Sequence, residues 1–465
     1  MDKVTSLALL TAIETFFRGK HLQLEKVRFV GLDGCNTMSG ENKGLQRRIR
    51  HESPLSIYVN CRNHRLALCF VHLLKESDLL KEVDGLLISI WKLFQYSPKK
   101  AAVFQHMQEV YGERPIKFVR AATTRWLSHL RACVRFISRY EQLLDTFDAL
   151  IEDSRQPEVQ GIRYSATNRG VIAMILVLAD VLKPVNYLSL YLQQDCGTFT
   201  ELPAREKKCT DDLHDIVHNY QNMTLLGLEF GKCEEMFDII TDRTTLARRV
   251  RAGVQMEAIN PEGFLRLYGV PLVLALVNEV EDAFSNHSAV LSAFSFLDPS
   301  HLPEEAKDVH DYGKDHANVL SSFYGSEKVD IYEGHREIVP PELGDQKLIE
   351  NELLTFRNQL FMMKRKGCDT LGKVYMHIAQ DDIMQESYPT VLQLYKLALL
   401  VPQSTAVVER GFSAMNDMCT DLRSLGQQTL DSLMRINLYQ EELLEEDLEL
   451  VVDLFKNKKE RDMPL

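Results

Sequence analysis

Four short clusters hold the residues whose types and spacing could do chemistry. The first is Asp33, within Gly31-Leu32-Asp33-Gly34-Cys35-Asn36. The apolar run from Val27 to Leu32 before it reads as a buried strand ending in a turn. A carboxylate at the C-terminal end of a strand, followed by small residues, faces an open edge and suits a divalent cation. The same Asp-Gly pair also makes an ordinary turn. The second cluster is Cys61-Arg62-Asn63-His64, continuing to Cys69 and His72. Its Cys-x-x-His spacing is half of a zinc site, with no second pair nearby to complete it. His214 and His218 lie one helical turn apart below Cys209, but they lack the glutamate of a His-Glu-x-x-His helix. Structural roles are expected for all of these.

The third cluster, Thr123-Thr124-Arg125-Trp126, opens a helix whose core stripe is expected at Leu127, Leu130, Val134 and Ile137. Arg131 and Arg135 sit one turn apart off that stripe, with Arg120 and Arg125 just before it. An aromatic residue with arginines at a helix N-terminus can stack on a base and grip phosphate, and Trp126 as a core residue is the competing reading. The fourth runs from Pro402 to Ser413. Ser404 or Thr405 can cap a helix with Val408, Phe412, Met415 and Cys419 on its apolar face and Glu409 beside it, where a carboxylate favours the helix dipole. A second helix near Thr429 carries Leu430, Leu433, Met434 and Leu438. Two apolar-striped helices this close together complete a core or form a dimer interface.

The elements that must position these clusters follow from periodicity. Residues 3–18 predict an amphipathic helix through Leu7, Leu10, Ile13 and Phe17. Ser56 to Val59 is a second strand candidate, with a short basic helix, Lys43 to Arg50, between the strands. A helix then runs from Cys61 or Asn63 through Leu74. Beyond it the strand signal nearly stops: 77–150, 168–195, 205–250 and 262–296 read as helices, 297–347 as a loose connection, and helical patterning returns at 347–366 and from 386.

Composition bounds the class. With 465 residues, 45% of them hydrophobic, 23 Gly and 15 Pro, collagen-like and low-complexity chains are excluded. The nine cysteines have no regular spacing and point to reduced thiols. The longest apolar run, Gly170 to Val181, is interrupted by Asp180 and is too short to span a bilayer. Net charge is −12 overall, yet residues 1–140 carry 23 Lys and Arg against 12 Asp and Glu, and the other 325 carry 31 against 54. Such asymmetry points to one end facing an anionic partner, unless the solvated faces simply differ in sign.

Taken in order, LDGCNTMSGENKG at 32–44, NCRNHRLAL at 60–68, TTRWLS at 123–128 and the segment from Tyr388 to Ile436 resemble the RNase H-like core of hAT superfamily transposases. Within the last segment, STAVVERGFSAMNDMCTDLRS resembles the hAT C-terminal dimerisation motif. Such enzymes use three carboxylates to hold two divalent metals for in-line attack at phosphorus. By motif, Asp33 matches the second carboxylate and Glu409 the third. Cys61 and His64 match the Cys-x-x-His element, and Trp126 matches the tryptophan placed near flipped or hairpinned DNA ends. The first carboxylate belongs on a strand before the helix at 3–18, and this sequence starts at that helix. The BED-type zinc finger has no counterpart either.

The resemblance therefore implies a mainly α chain with a small β-sheet: an incomplete RNase H-like α/β core interrupted by a large all-helical insertion. The expected boundaries are 1–75 for the partial core and 76–380 for the insertion, loop-rich at 297–347. Residues 381–450 form the dimerisation region that completes the core, and 451–465 a tail. It implies a transposase-derived protein, not an enzyme, acting as a homodimer through Val408, Phe412, Met415, Leu430 and Leu433. Weak DNA contact is expected from the basic N-terminal region, with Trp126, Arg125, Arg131 and Arg135 touching DNA. No cofactor is expected. Mg²⁺ or Mn²⁺ at Asp33 and Glu409 belongs to the alternative, an incomplete version of an active transposase; a DNA-binding transcriptional regulator is the second alternative. The implied location is the nucleus, otherwise the cytoplasm, with no membrane.

Overall fold

The computed structural model describes residues 5–121, 126–154, 156–194, 199–244, 260–285, 288–402, 404–420, 423, 425–438 and 445–457. The protein is mainly helical, 75% helix and 4% strand, so its sheets are too small to form a layer of their own. It divides into two compact units, Met1–Thr405 and Ala406–Leu465.

The first unit opens with α1 (Ser6–Gly19), capped by the Thr5 hydroxyl, which accepts from the Ala8 amide. Strand β1 (Phe29–Leu32) follows, then α2 (Asn36–Ser39), α3 (Leu45–Glu52) and strand β2 (Ile57–Asn60). The strands pair in parallel, Phe29 opposite Ile57 and Leu32 opposite Asn60. A parallel pair needs a crossover, which α2 and α3 supply. Because side chains alternate along a strand, Val30 and Leu32 face a small core around Leu10, Leu24, Leu45 and Ile49, while Phe29 packs on the main core.

The helical body begins with α4 (Arg62–Glu76), α5 (Asp78–Gln95) and α6 (Pro98–Val110). Ser77 and Ser97 cap α5 and α6, and Pro98 fills the first-turn position where its missing N–H costs nothing. An irregular segment, 111–121, separates α6 from α7 (Trp126–Ser138); α8 (Tyr140–Ser154) and α9 (Pro157–Ala166) follow. The helical pattern read over 77–150 is thus broken three times, at Tyr96–Ser97, between α6 and α7, and at Arg139. The buried face of α7 also differs from the expected stripe. His129, Ala132, Cys133 and Phe136 are buried, Leu130 and Ile137 are half-buried, and Val134 is 40% exposed. The helix is rotated because His129 Nε2 reaches Asp84 Oδ1 of α5 at 3.0 Å, and a buried polar ring must find a partner.

Helix α10 (Arg169–Leu192) is the centre of the unit, with 20 of its 24 residues buried. Sequence runs predict no span long enough for a membrane, yet α10 and the stretch Pro261–Ser285 are both long and apolar enough by composition. In α10 that character reflects burial on every side by neighbouring helices. Its one acid, Asp180, explains a break in the expected helix at 205–250. The carboxylate accepts from the Glu229 and Phe230 amides at 2.6 and 3.0 Å and from the Tyr220 hydroxyl at 3.0 Å. Burial raises its pKa, while these bonds pull the other way. The N–H groups of a 3-10 turn at Glu229–Lys232 are thereby held apart from α11 (Leu202–Gln221) and lead into α12 (Cys233–Thr244).

Next come α13 (Pro261–Phe264), a π turn at Leu265–Gly269, α14 (Val270–Ser285) and α15 (Ala289–Ala293). The stretch expected to be loose, 297–347, holds α16 (Lys314–Gly325) and a hairpin of β3 (Lys328–Tyr332) and β4 (His335–Val339). Glu333 and Gly334 both have positive φ, the geometry that matches the twist of a two-residue hairpin loop. Helices α17 (Gln346–Arg365), α18 (Leu371–Ala379), α19 (Asp382–Ser387) and α20 (Pro389–Leu400) complete the unit. The second unit contains α21 (Ala406–Met418), α22 (Gln427–Leu438) and α23 (Glu445–Asn457). The tail expected from 451 begins inside α23.

Candidate functional site

Asp33 sits in the turn just after β1, at the strand end the sequence predicts. Its Oδ1 accepts from the Cys35 amide at 3.3 Å, the geometry of a turn-forming aspartate, and its carbonyl accepts from the Tyr58 hydroxyl at 3.2 Å. The carboxylate in turn raises the Cys35 thiol pKa by hydrogen bonding. Burial, and then the Asp33 charge, push the Tyr58 phenol up to about 12. Glu409 is exposed, on the first turn of α21 in the second unit. Among the described residues no group of three or more His, Cys, Asp or Glu side chains is arranged to hold a metal ion. A thiol and a phenol beside Asp33 are a poor donor set for Mg²⁺, which wants hard oxygen ligands in octahedral geometry. The side chains around Asp33 do not supply the set of hard oxygen ligands that a Mg²⁺ site needs.

The Cys-x-x-His element has a structural place. Cys61 is buried at the start of α4, and its Sγ accepts from the Thr405 amide at 3.3 Å and the Thr405 hydroxyl at 3.1 Å. Ser404 donates its hydroxyl to the Leu192 carbonyl at 2.5 Å. A Cβ on Gly31 would come within 3.2 Å of the Pro402 ring, so the absent side chain lets Pro402 close over the strand end. Cys61 therefore ties α4 to the last residues of the first unit, and His64 is half-buried one turn on. Cys69 and Cys209 are buried thiols pushed up to about 12 by burial. His72 pairs with Glu279 at 2.8 Å, and His214 and His218 are exposed. Cys209 also lines a half-open cavity of about 440 Å³ between α10 and α11, with Tyr187, Tyr191 and Arg205.

Of the residues expected to touch DNA, Arg125 and the Trp126 side chain lie outside the described residues. Arg131 is exposed, while Arg135 donates to the Lys117 carbonyl. The basic helix α3 is partly committed inward. Arg47 donates to both Asp330 carboxylate oxygens, at 3.1 and 3.2 Å, and to the Ile331 carbonyl at 2.6 Å, and it lies over the Tyr332 ring. Arg48 donates to Ser6 Oγ at 3.0 Å. The Arg47 contacts pin the β3–β4 hairpin onto the small α/β piece, while Arg48 ties α3 to α1. Sequence reading missed the hairpin, although Val329 and Ile331 alternate with polar residues before a Glu-Gly turn.

The expected dimerisation residues fall into two groups. Val408 and Phe412 are 56% and 57% exposed, whereas Met415, Leu430 and Leu433 are half-buried. Half-buried positions recur at helical spacing on α21 (Ala414, Met415, Met418) and α22 (Leu430, Leu433, Met434), as two helices packed on each other require. Helix α23 adds exposed Leu448, Val451, Leu454 and Phe455. Compared with models of known protein families, the chain matches none.

Proposed function

We propose that this chain is a hAT transposase-derived protein that works by self-association, with a residual capacity to contact nucleic acid and no DNA-cutting chemistry of its own. The observation that carries the reading is the second unit. Its α21 and α22 meet through a few half-buried residues and leave Val407, Val408, Phe412, Ile436 and Leu438 more than half exposed. Val408 and Phe412 lie one turn apart on α21, and large apolar side chains left exposed on a folded segment mark an interaction site. A second copy offers the same surface to itself, as two-fold association requires. The small parallel β-pair, the helical body between it and the C-terminal helices, and the order of the motifs support derivation from an RNase H-like core. The absence of cutting chemistry is supported by Asp33, whose carboxylate serves a turn.

Light scattering on the full chain tests the reading. Parent protein is expected at twice its 53.4 kDa mass at micromolar concentration. Val408→Glu with Phe412→Glu is expected at the single-chain mass with unchanged helix content. Equal masses for parent and variant would reject the assigned surface. A nicking assay with Mg²⁺ or Mn²⁺ tests the second half: activity abolished by Asp33→Ala and Glu409→Ala would overturn it.

A further inference from the structure

The positive surplus of residues 1–140 is concentrated away from α3: residues 92–139 carry ten Lys and Arg against two Glu. Their centre is the irregular segment 111–121, which is firmly held despite having no regular structure. Phe118 is buried against Phe104 and Phe94, with ring centroids 5.3 and 5.9 Å away. The Gln108 side chain accepts from the Ile116 amide at 2.9 Å and donates to its carbonyl at 3.3 Å. From the other side Arg135 of α7 and Arg139, just past its end, donate to the Lys117 and Arg114 carbonyls. The anchored segment presents Arg114, Lys117 and Arg120 to solvent at every third position. None of the three forms an ion pair among the described residues. Beside them, at the end of α5, the Trp91 and Tyr96 rings meet edge-on at 5.7 Å. Tyr96 is 73% exposed, and the Arg120 guanidinium lies 5.5 Å from the Trp91 ring centre.

We infer that this surface binds single-stranded nucleic acid, with unstacked bases on Trp91 and Tyr96 and phosphates along Arg114, Lys117 and Arg120. Aromatic rings beside a cationic track are what a single strand needs, because its bases have free faces; a duplex would use only the charges. The anchoring matters because pre-positioned cations lose little freedom on binding. The inference rests on the nucleic-acid contact named above and not on dimerisation.

The test is fluorescence anisotropy of a labelled thymidine 20-mer, single-stranded or paired with its complement, against the full chain at several salt concentrations. The single strand is expected to bind more tightly than the duplex. Trp91→Ala and Tyr96→Ala should each weaken it about tenfold, within the range of base–aromatic stacking. Arg120→Ala and Lys117→Ala should each lower the salt slope by about 0.7, one phosphate contact. Lys20→Ala, the same charge change elsewhere, should do neither. Tyr96, being so exposed, keeps the test valid if Trp91→Ala perturbs folding. Parent binding insensitive to Trp91→Ala and Tyr96→Ala, or equal binding of duplex and single strand, overturns this inference while leaving nucleic-acid contact in place. Failure of the parent to bind either form overturns both and leaves self-association standing.

Discussion

The two units of this protein solve the problem of apolar side chains in opposite ways. In Met1–Thr405, α10 buries nearly its whole length, and Phe136, Phe147, Phe296 and Phe356 are fully enclosed. In Ala406–Leu465 apolar residues are sparser, seven of 13 in α21 and six of 13 in α23 against 17 of 24 in α10, yet Val408, Phe412, Leu450 and Leu454 stand more than half exposed. The lower apolar share does not by itself account for that exposure. What separates the two units is whether the chain supplies a second surface to cover the first. A helix that is apolar all round needs neighbours on every side. The first unit provides them; among the described residues of the second, coverage is left to something else.

Substitutions of similar size should therefore have very different effects. The largest is expected in the first unit, where Phe136→Ala leaves a void in a packed interior and should cost about 3–5 kcal/mol in urea unfolding. A cost below about 1 kcal/mol would mean that α7 is not held as described.

High pH should also separate the units. Burial pushes the thiols of Cys69, Cys133, Cys209 and Cys233 up to about 12, all in the first unit. Thiols ionise near 8.5 when unfolded. Their contribution is fully present below that pH and is lost as pH rises toward about 12. Lys328, lowered to about 8 chiefly by burial, works in the other direction over part of the range: its contribution is present at high pH and lost as pH falls through about 8. Four thiols outweigh one amine, so the urea midpoint should fall between pH 8.5 and 10, and less so in Cys133→Ala. An unchanged midpoint would show these thiols to be more hydrated than their burial implies.

A smaller effect, about 1–2 kcal/mol, is expected for Arg47→Ala, which leaves Asp330 without its paired donor. The loss should be local, seen as faster proteolysis at Glu333-Gly334 with little change in the global midpoint. The smallest belongs to the second unit. Phe412→Ala should change the stability of dilute protein by less than about 0.5 kcal/mol, as expected for a side chain that touches little.

The legibility of the fold in the sequence divides along similar lines. Both parallel strands, the helix between Cys61 and Leu74, and α10 were readable because their apolar periods are strong and their boundaries carry turn residues or caps. Breaks decided by distant partners were not. The turn at Glu229–Lys232 depends on Asp180, 49 residues away in sequence for the Glu229 amide bond. The rotation of α7 depends on Asp84 in another helix. The β3–β4 hairpin was legible in its alternation and Glu-Gly turn, but nearby prolines and acids masked it. Of the residues read as one surface, Val408 and Phe412 are exposed whereas Met415, Leu430 and Leu433 are half-buried, a split that helical spacing alone does not give. Asp33 illustrates the limit: its strand-end position was visible, whereas the partners that turn its carboxylate to local use lie in side-chain geometry that no spacing encodes.

The most direct measurement is hydrogen exchange of the full chain, followed by mass spectrometry, over a hundredfold range of protein concentration. Self-association through the second unit predicts that backbone amides in 406–438 become more protected as concentration rises, while those in 169–192 stay equally protected throughout. Protection of 406–438 that does not change with concentration, at a solution mass that is also constant, would contradict the account.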